Sequence, residues 1–91
     1  MSKKTEFKNR DRFIQLGITI GVLRRIRGMT QEQLAERSGI SRSFISTIEA
    51  PKIVRPFSLE VLFNISDAPE VSPGELLNTS LLPDRILNQK N

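Results

Sequence analysis

The chain reads as an all-α protein of five helices, and three observations carry that reading. Apolar residues recur at steps of three and four and never settle into strand-like alternation. Two segments, Thr30-Gln31-Glu32-Gln33 and Ser72-Pro73-Gly74-Glu75, have the form of helix starts, with a hydroxyl followed three residues on by an acid or amide. Between Ser38 and Arg42 lies the short turn Gly39-Ile40-Ser41, which suits two helices crossing steeply and little else. With 91 residues, of which 37% are hydrophobic, there is material for one core and no second domain.

The elements follow in order. Residues 1–9 form a basic arm, polar except for Phe7. A first helix runs from about Asn9 to Arg27, with Phe13, Leu16, Ile20 and Leu23 on one face. A second stripe, Ile14, Ile18 and Val22, makes the apolar surface wider than a lone surface helix needs. Burial by a later helix is the expectation for that stripe, and a dimer contact is the alternative. Gly17 and Gly21 lower helix propensity, which points to a close packing contact on that helix. Gly28 and Met29 break it.

Thr30 caps helix two, from Gln31 to about Ser38, and Gly39 follows where a left-handed backbone is needed. Ser41 caps helix three, from Arg42 to Glu49. Pro51 and Pro56 bracket the next connection, which carries Lys52 and Arg55. Ser58 caps helix four, whose apolar positions are Leu59, Leu62, Phe63 and Ile65, and Pro69 ends it. The fifth helix covers Glu75 to about Thr79, with Pro73 in its first turn. Residues 79–91 form a tail in which Leu81, Leu82, Ile86 and Leu87 are apolar but interrupted by Pro83, and this tail and helix five are further candidate dimer contacts.

Charge is unevenly placed. Residues 1–30 hold eight Lys/Arg against two Asp/Glu, residues 31–57 four against three, and residues 58–91 two against five. A basic N-terminal end on a chain of pI near 10.1 suits a polyanionic partner, or is simply a solvated basic tail. The chain has no His and no Cys. That removes disulfides, thiolate zinc sites, the commonest general base and the best nucleophile, so an enzyme is not expected and neither a cofactor nor a metal is implied. The longest charge-free apolar stretch of the first half, Phe13 to Leu23, is far short of the roughly 20 residues a membrane span needs. Arg24, Arg25 and Arg27 stand where a secretory signal would place small residues. A cytoplasmic protein with no membrane partner is the expectation.

The segment Thr30 to Glu49, TQEQLAERSGISRSFISTIE, resembles the helix-turn-helix of the Cro and lambda-repressor-like regulators, also called the xenobiotic-response-element (XRE) family. The resemblance continues on both sides. Ile20-x-x-Leu23-Arg24 with Gly28 looks like the family's first helix. Ser58-Leu59, Leu62, Ile65, Ala68, Val71-Ser72 and Glu75-Leu76-Leu77 look like its fourth and fifth. It spans roughly residues 10–78, which is more specific than a bare motif over 31–50. It implies a five-helix lambda-repressor-like domain and a small sequence-specific DNA-binding transcriptional regulator, a repressor, acting as a homodimer on double-stranded DNA.

The residues themselves support a division of labour. Leu34, Ala35, Ile40, Ile45 and Ile48 are the positions that can bury against helix one. Removing them leaves Arg42, Ser43, Ser46 and Thr47 on one outward side of helix three, paired at i, i+4. One Arg that can fork onto a guanine edge, with short hydroxyls around it, suits base contact in a major groove. A plain solvent-facing polar surface is the blander alternative. Phosphate contacts are expected from Gln31 and Ser41 at helix starts and from Lys52 and Arg55. Phe44 is expected to pack.

Glu49 ends helix three, where a negative charge opposes the helix dipole, so it needs a cationic partner. The resemblance pairs it with Arg24, as a scaffold salt bridge. Two departures stand out: Ala50-Pro51 replaces the family's frequent Asn-Gly, and Pro69 replaces an apolar residue, which shortens helix four. A second functional reading is an antitoxin-like protein that binds a protein partner through its tail and regulates itself through the same helix-turn-helix.

Overall fold

The computed structural model describes residues 9–79, and among these every regular element is a helix. The helices are α1 (Arg10–Ile26), α2 (Gln31–Ser38), α3 (Arg42–Glu49), α4 (Leu59–Asp67) and α5 (residues 73–79). Most of the basic arm and the apolar residues of the tail, Leu81, Leu82, Ile86 and Leu87, lie outside the described residues. So does the tail on which the antitoxin-like reading depends.

Each helix start has a local cause. Thr30 Oγ1 accepts from the Gln33 N–H at 3.0 Å while Gln33 Oε1 accepts from the Thr30 N–H at 2.8 Å, a complete capping box. Ser41 Oγ accepts from the Phe44 N–H and Ser58 Oγ from the Val61 N–H. Ser72 Oγ accepts from the Glu75 N–H, and the Glu75 carboxylate accepts from the Ser72 N–H. This last cap starts α5 at residue 73, two residues before the expected Glu75.

Helices α1, α2, α3 and α4 meet around one core. Leu16 and Ile20 of α1, Leu34 of α2, Ile45 and Ile48 of α3, Leu62 and Ile65 of α4 and Leu76 of α5 are all buried. Met29 and Ile40 add side chains from the connections. The tightest approach is between α1 and α3. A side chain on Gly17 would overlap the carbonyl oxygen of Ile48, and one on Gly21 would stand 3.1 Å from Glu49 Oε1. Gly17 and Gly21 therefore let the two helices touch backbone to side chain and backbone to backbone.

Two features depart from the sequence reading, and a third, just past the end of α4 that Pro69 foretells, is one it did not address. The stripe beside the core face of α1 is not covered by a later helix: Ile18 and Val22 are exposed among the described residues. On α4, Leu59 and Phe63 also point outward, and the small Ser66 takes a buried place beside Leu62 and Ile65. Finally, Pro69 is buried and Glu70 takes a left-handed backbone with φ +61°. The chain reverses there through N–H bonds from Glu70 to the Asp67 carbonyl and from Val71 to the Ser66 carbonyl.

Candidate nucleic-acid interface

The candidate interface centres on α3, and the turn before it sets the orientation. Gly39 adopts φ +74°, which only glycine reaches without a steric penalty. The N–H groups of Gly39 and Ile40 both donate to the Ala35 carbonyl, at 2.9 and 3.2 Å, and close off the end of α2. Ile40 is driven into the core immediately afterwards. Three consecutive residues thus reverse the chain, and Ser41 starts the next helix at a fixed rotation.

Rotation decides which side chains face out. Ile45 is fully buried and Ile48 nearly so, at 0% and 2% exposed. With those two on the inside, Arg42, Ser43 and Ser46 are exposed, and Thr47 is partly covered at the edge of the same face. The Thr47 hydroxyl donates back to the Ser43 carbonyl at 2.9 Å, so its methyl is the group left for an outside contact. Phe44 is half-buried against the core, and the Arg55 guanidinium lies over its ring, 4.7 Å from the centroid. Lys52 and Arg55 are both exposed on the connection that leaves α3.

The far end of α3 is clamped. Arg24 reaches from α1 and donates through Nε to Glu49 Oε2 at 2.9 Å and through Nη2 to Oε1 at 3.0 Å. This is a two-pronged pair that a lysine would not reproduce. The third nitrogen, Nη1, donates to the Met29 carbonyl at 2.7 Å. Both side chains are nearly sealed from solvent, 9% and 7% exposed. One guanidinium thereby ties together α1, the α1–α2 turn and the end of α3, and it answers the unfavourable carboxylate at a helix C-terminus.

The sequence assigns Gln31, at the start of α2, to a phosphate contact. Its side-chain Nε2 donates to Glu49 Oε1 at 2.9 Å, a link across 18 residues that the sequence did not signal. One amide hydrogen remains, since an amide nitrogen carries two. The capping box uses the N–H groups of Thr30 and Gln33, so the open backbone donors at this end are those of Gln31 and Glu32. Ser41 sits exposed at the start of α3, its oxygen engaged by Phe44 and its hydroxyl proton free to turn outward. The structure thus brings Arg42, Ser43, Ser46 and Thr47 onto one face of α3. Arg24, Gln31 and Glu49 form a buried or half-buried cluster behind it.

No group of acidic residues among the described ones could hold a metal ion. No helix there is long and apolar enough to cross a membrane. A family model described as Helix-turn-helix matches residues 15–76. The chain belongs to this family, the XRE or Cro-like helix-turn-helix proteins, and is a DNA-binding regulator of that class. No curated protein and no solved structure matches it.

Proposed function

We propose that the protein is a transcriptional repressor that binds a specific double-stranded DNA site as a homodimer, with α3 lying in the major groove. The observation that carries this reading is the outward face of α3. Arg42, Ser43 and Ser46 are exposed on a helix whose opposite face is held rigidly by Ile45, Ile48 and the Glu49 clamp. A reading head must be both bare and fixed, because a base edge is recognised by hydrogen bonds that tolerate little displacement.

In this reading Arg42 forks onto guanine O6 and N7, worth about 1–3 kcal/mol of discrimination. Ser43 and Ser46 supply short hydroxyls that let the helix backbone sink between the strands. The Thr47 methyl meets a thymine methyl. The second amide hydrogen of Gln31, the open N–H groups of Gln31 and Glu32, and the Ser41 hydroxyl bind phosphate on one side of the groove. Lys52 and Arg55 bind it on the other, with Arg55 held in position by the Phe44 ring. Two copies place their α3 helices about one DNA turn, ~34 Å, apart.

Selection of bound duplexes from a random pool tests the reading. The expected product is a pair of inverted half-sites whose centres are about 10 base pairs apart. Affinity for that site should fall with salt, at a log–log slope near −0.9 per phosphate contact. Recovery of no sequence preference at any salt concentration would defeat it.

A further inference from the structure

Helix α1 carries apolar side chains that nothing in the described chain covers. Ile18 is 40% exposed and Val22 43%, with Ile14 half-buried beside them. These three fall on one line at i, i+4 spacing, roughly a third of a turn round from the core-facing residues Gly17, Ile20, Gly21 and Arg24. The line is bounded at its N-terminal end by Asp11, whose side chain is 82% exposed and accepts from Arg10 Nη1 of its own chain at 3.1 Å, an exposed pair that can yield to another cation, and at its C-terminal end by the exposed Arg25.

That order has a two-fold property. If a second α1 lies antiparallel on the first with the crossing at Ile18, residue numbers that face each other add to 36. Ile18 then meets Ile18 of the other copy, Ile14 meets Val22, and Asp11 meets Arg25 at both ends. Apolar groups pair with apolar groups and each carboxylate with a guanidinium, as a contact between identical surfaces requires. Ile26 is exposed at the last residue of α1, beyond Arg25, Ile53 is exposed singly, and the apolar groups exposed in the C-terminal third lack this order. Leu59, Phe63 and Leu77 lie in residues 58–79, which carry Glu60, Asp67, Glu70 and Glu75 and no Lys or Arg. Two copies apposed there would face acid with acid.

We infer that the homodimer forms through an antiparallel contact of α1 with α1 of a second copy, centred on Ile18. This rests on the dimeric reading above and specifies its surface. The apolar line supplies the attraction, and the Asp11–Arg25 pairs, being exposed, choose the register more than they add affinity. A single helix-on-helix contact is smaller than a standard stable interface, so the dimer dissociates on dilution.

Sedimentation of the full chain without DNA tests this, with folding of each variant checked by its melting curve. The wild type should show a reversible monomer–dimer equilibrium. Ile18→Glu should weaken it at least ~tenfold, since it places two carboxylates on the two-fold axis. Asp11→Arg and Arg25→Asp should each weaken it several-fold, and the double variant should return it to the wild-type value. A monomer up to about millimolar concentration would overturn the inference. So would a dimer indifferent to Ile18→Glu, which would lie elsewhere, at α4 and α5 or residues 80–91. A double variant no better than its singles would overturn the antiparallel register. On DNA, Ile18→Glu should keep the half-site preference while losing the gain from paired half-sites. Loss of half-site preference in the wild type would instead strike the base-reading proposal and leave the dimer result standing.

Discussion

The two connections that flank α3 are built on opposite plans. The turn leading in, residues 39–41, is short and saturated: a left-handed Gly39, two N–H groups on one carbonyl, a buried Ile40 and a capping Ser41. The loop leading out, residues 50–58, is long and open. Its ties are an N–H bond from Ala50 to Thr47, one from Ile53 to Ala50 at 3.3 Å, the Arg55 guanidinium over Phe44 and, at the far end, the half-buried Phe57 ring edge-on to Phe13 with centroids 5.5 Å apart. Ile53 is half exposed to solvent there. The contrast teaches where the rotation of α3 is decided. The incoming turn and the clamp on Glu49 fix it, and the outgoing loop follows while presenting Lys52 and Arg55.

Substitutions should rank accordingly. Glu49→Ala, read by thermal or denaturant unfolding, should cost about 3–5 kcal/mol, because it leaves the Arg24 guanidinium buried with one partner carbonyl. Arg24→Ala should match it, and a loss under about 1 kcal/mol for either would mean that the clamp does not hold α3. Ile40→Ala removes a buried anchor of the incoming turn and should cost about 2–5 kcal/mol, at the low end because Ile40 is at the margin of the core. Gly39→Ala adds no clash, as open space surrounds the position, so only the left-handed backbone opposes it, by about 1–2 kcal/mol. In the outgoing loop, Arg55→Ala should change stability by no more than about 1 kcal/mol, the worth of an exposed cation–ring contact. Should Arg55→Ala destabilise as much as Ile40→Ala, the loop would be a structural partner of the turn and the contrast would fail. At the reversal after α4, Glu70→Gly relieves a left-handed non-glycine residue and should stabilise by up to about 1 kcal/mol.

The sequence carried the parts of this fold that depend on near neighbours. Caps at Thr30, Ser41, Ser58 and Ser72 and the left-handed Gly39 are local devices, and their residues announce them. The outward face of α3 followed from subtracting the apolar positions. What could not be read depends on chain segments brought together from afar. The sequence reads Met29 as part of a helix break, whereas it is buried; a lone core residue in a connection has no periodicity to betray it. The bond from Gln31 to Glu49 joins two helix ends with no pattern between them. Ile18, Val22, Leu59 and Phe63 have the spacing of core residues, yet no helix among the described residues covers them, and spacing alone cannot tell a covered face from an uncovered one. Glu70 gave no sign of its backbone, because the left-handed form is imposed by the buried Pro69 and Val71 on either side.

The sharpest test compares Arg42→Ala and Lys52→Ala, each measured on the selected site and on random duplex at one salt concentration. Removing the Arg42 fork should cut affinity for the selected site by about 1–3 kcal/mol and barely touch the random duplex, while Lys52→Ala should weaken both alike. Equal losses on the two duplexes for Arg42→Ala would contradict base reading by the exposed face of α3.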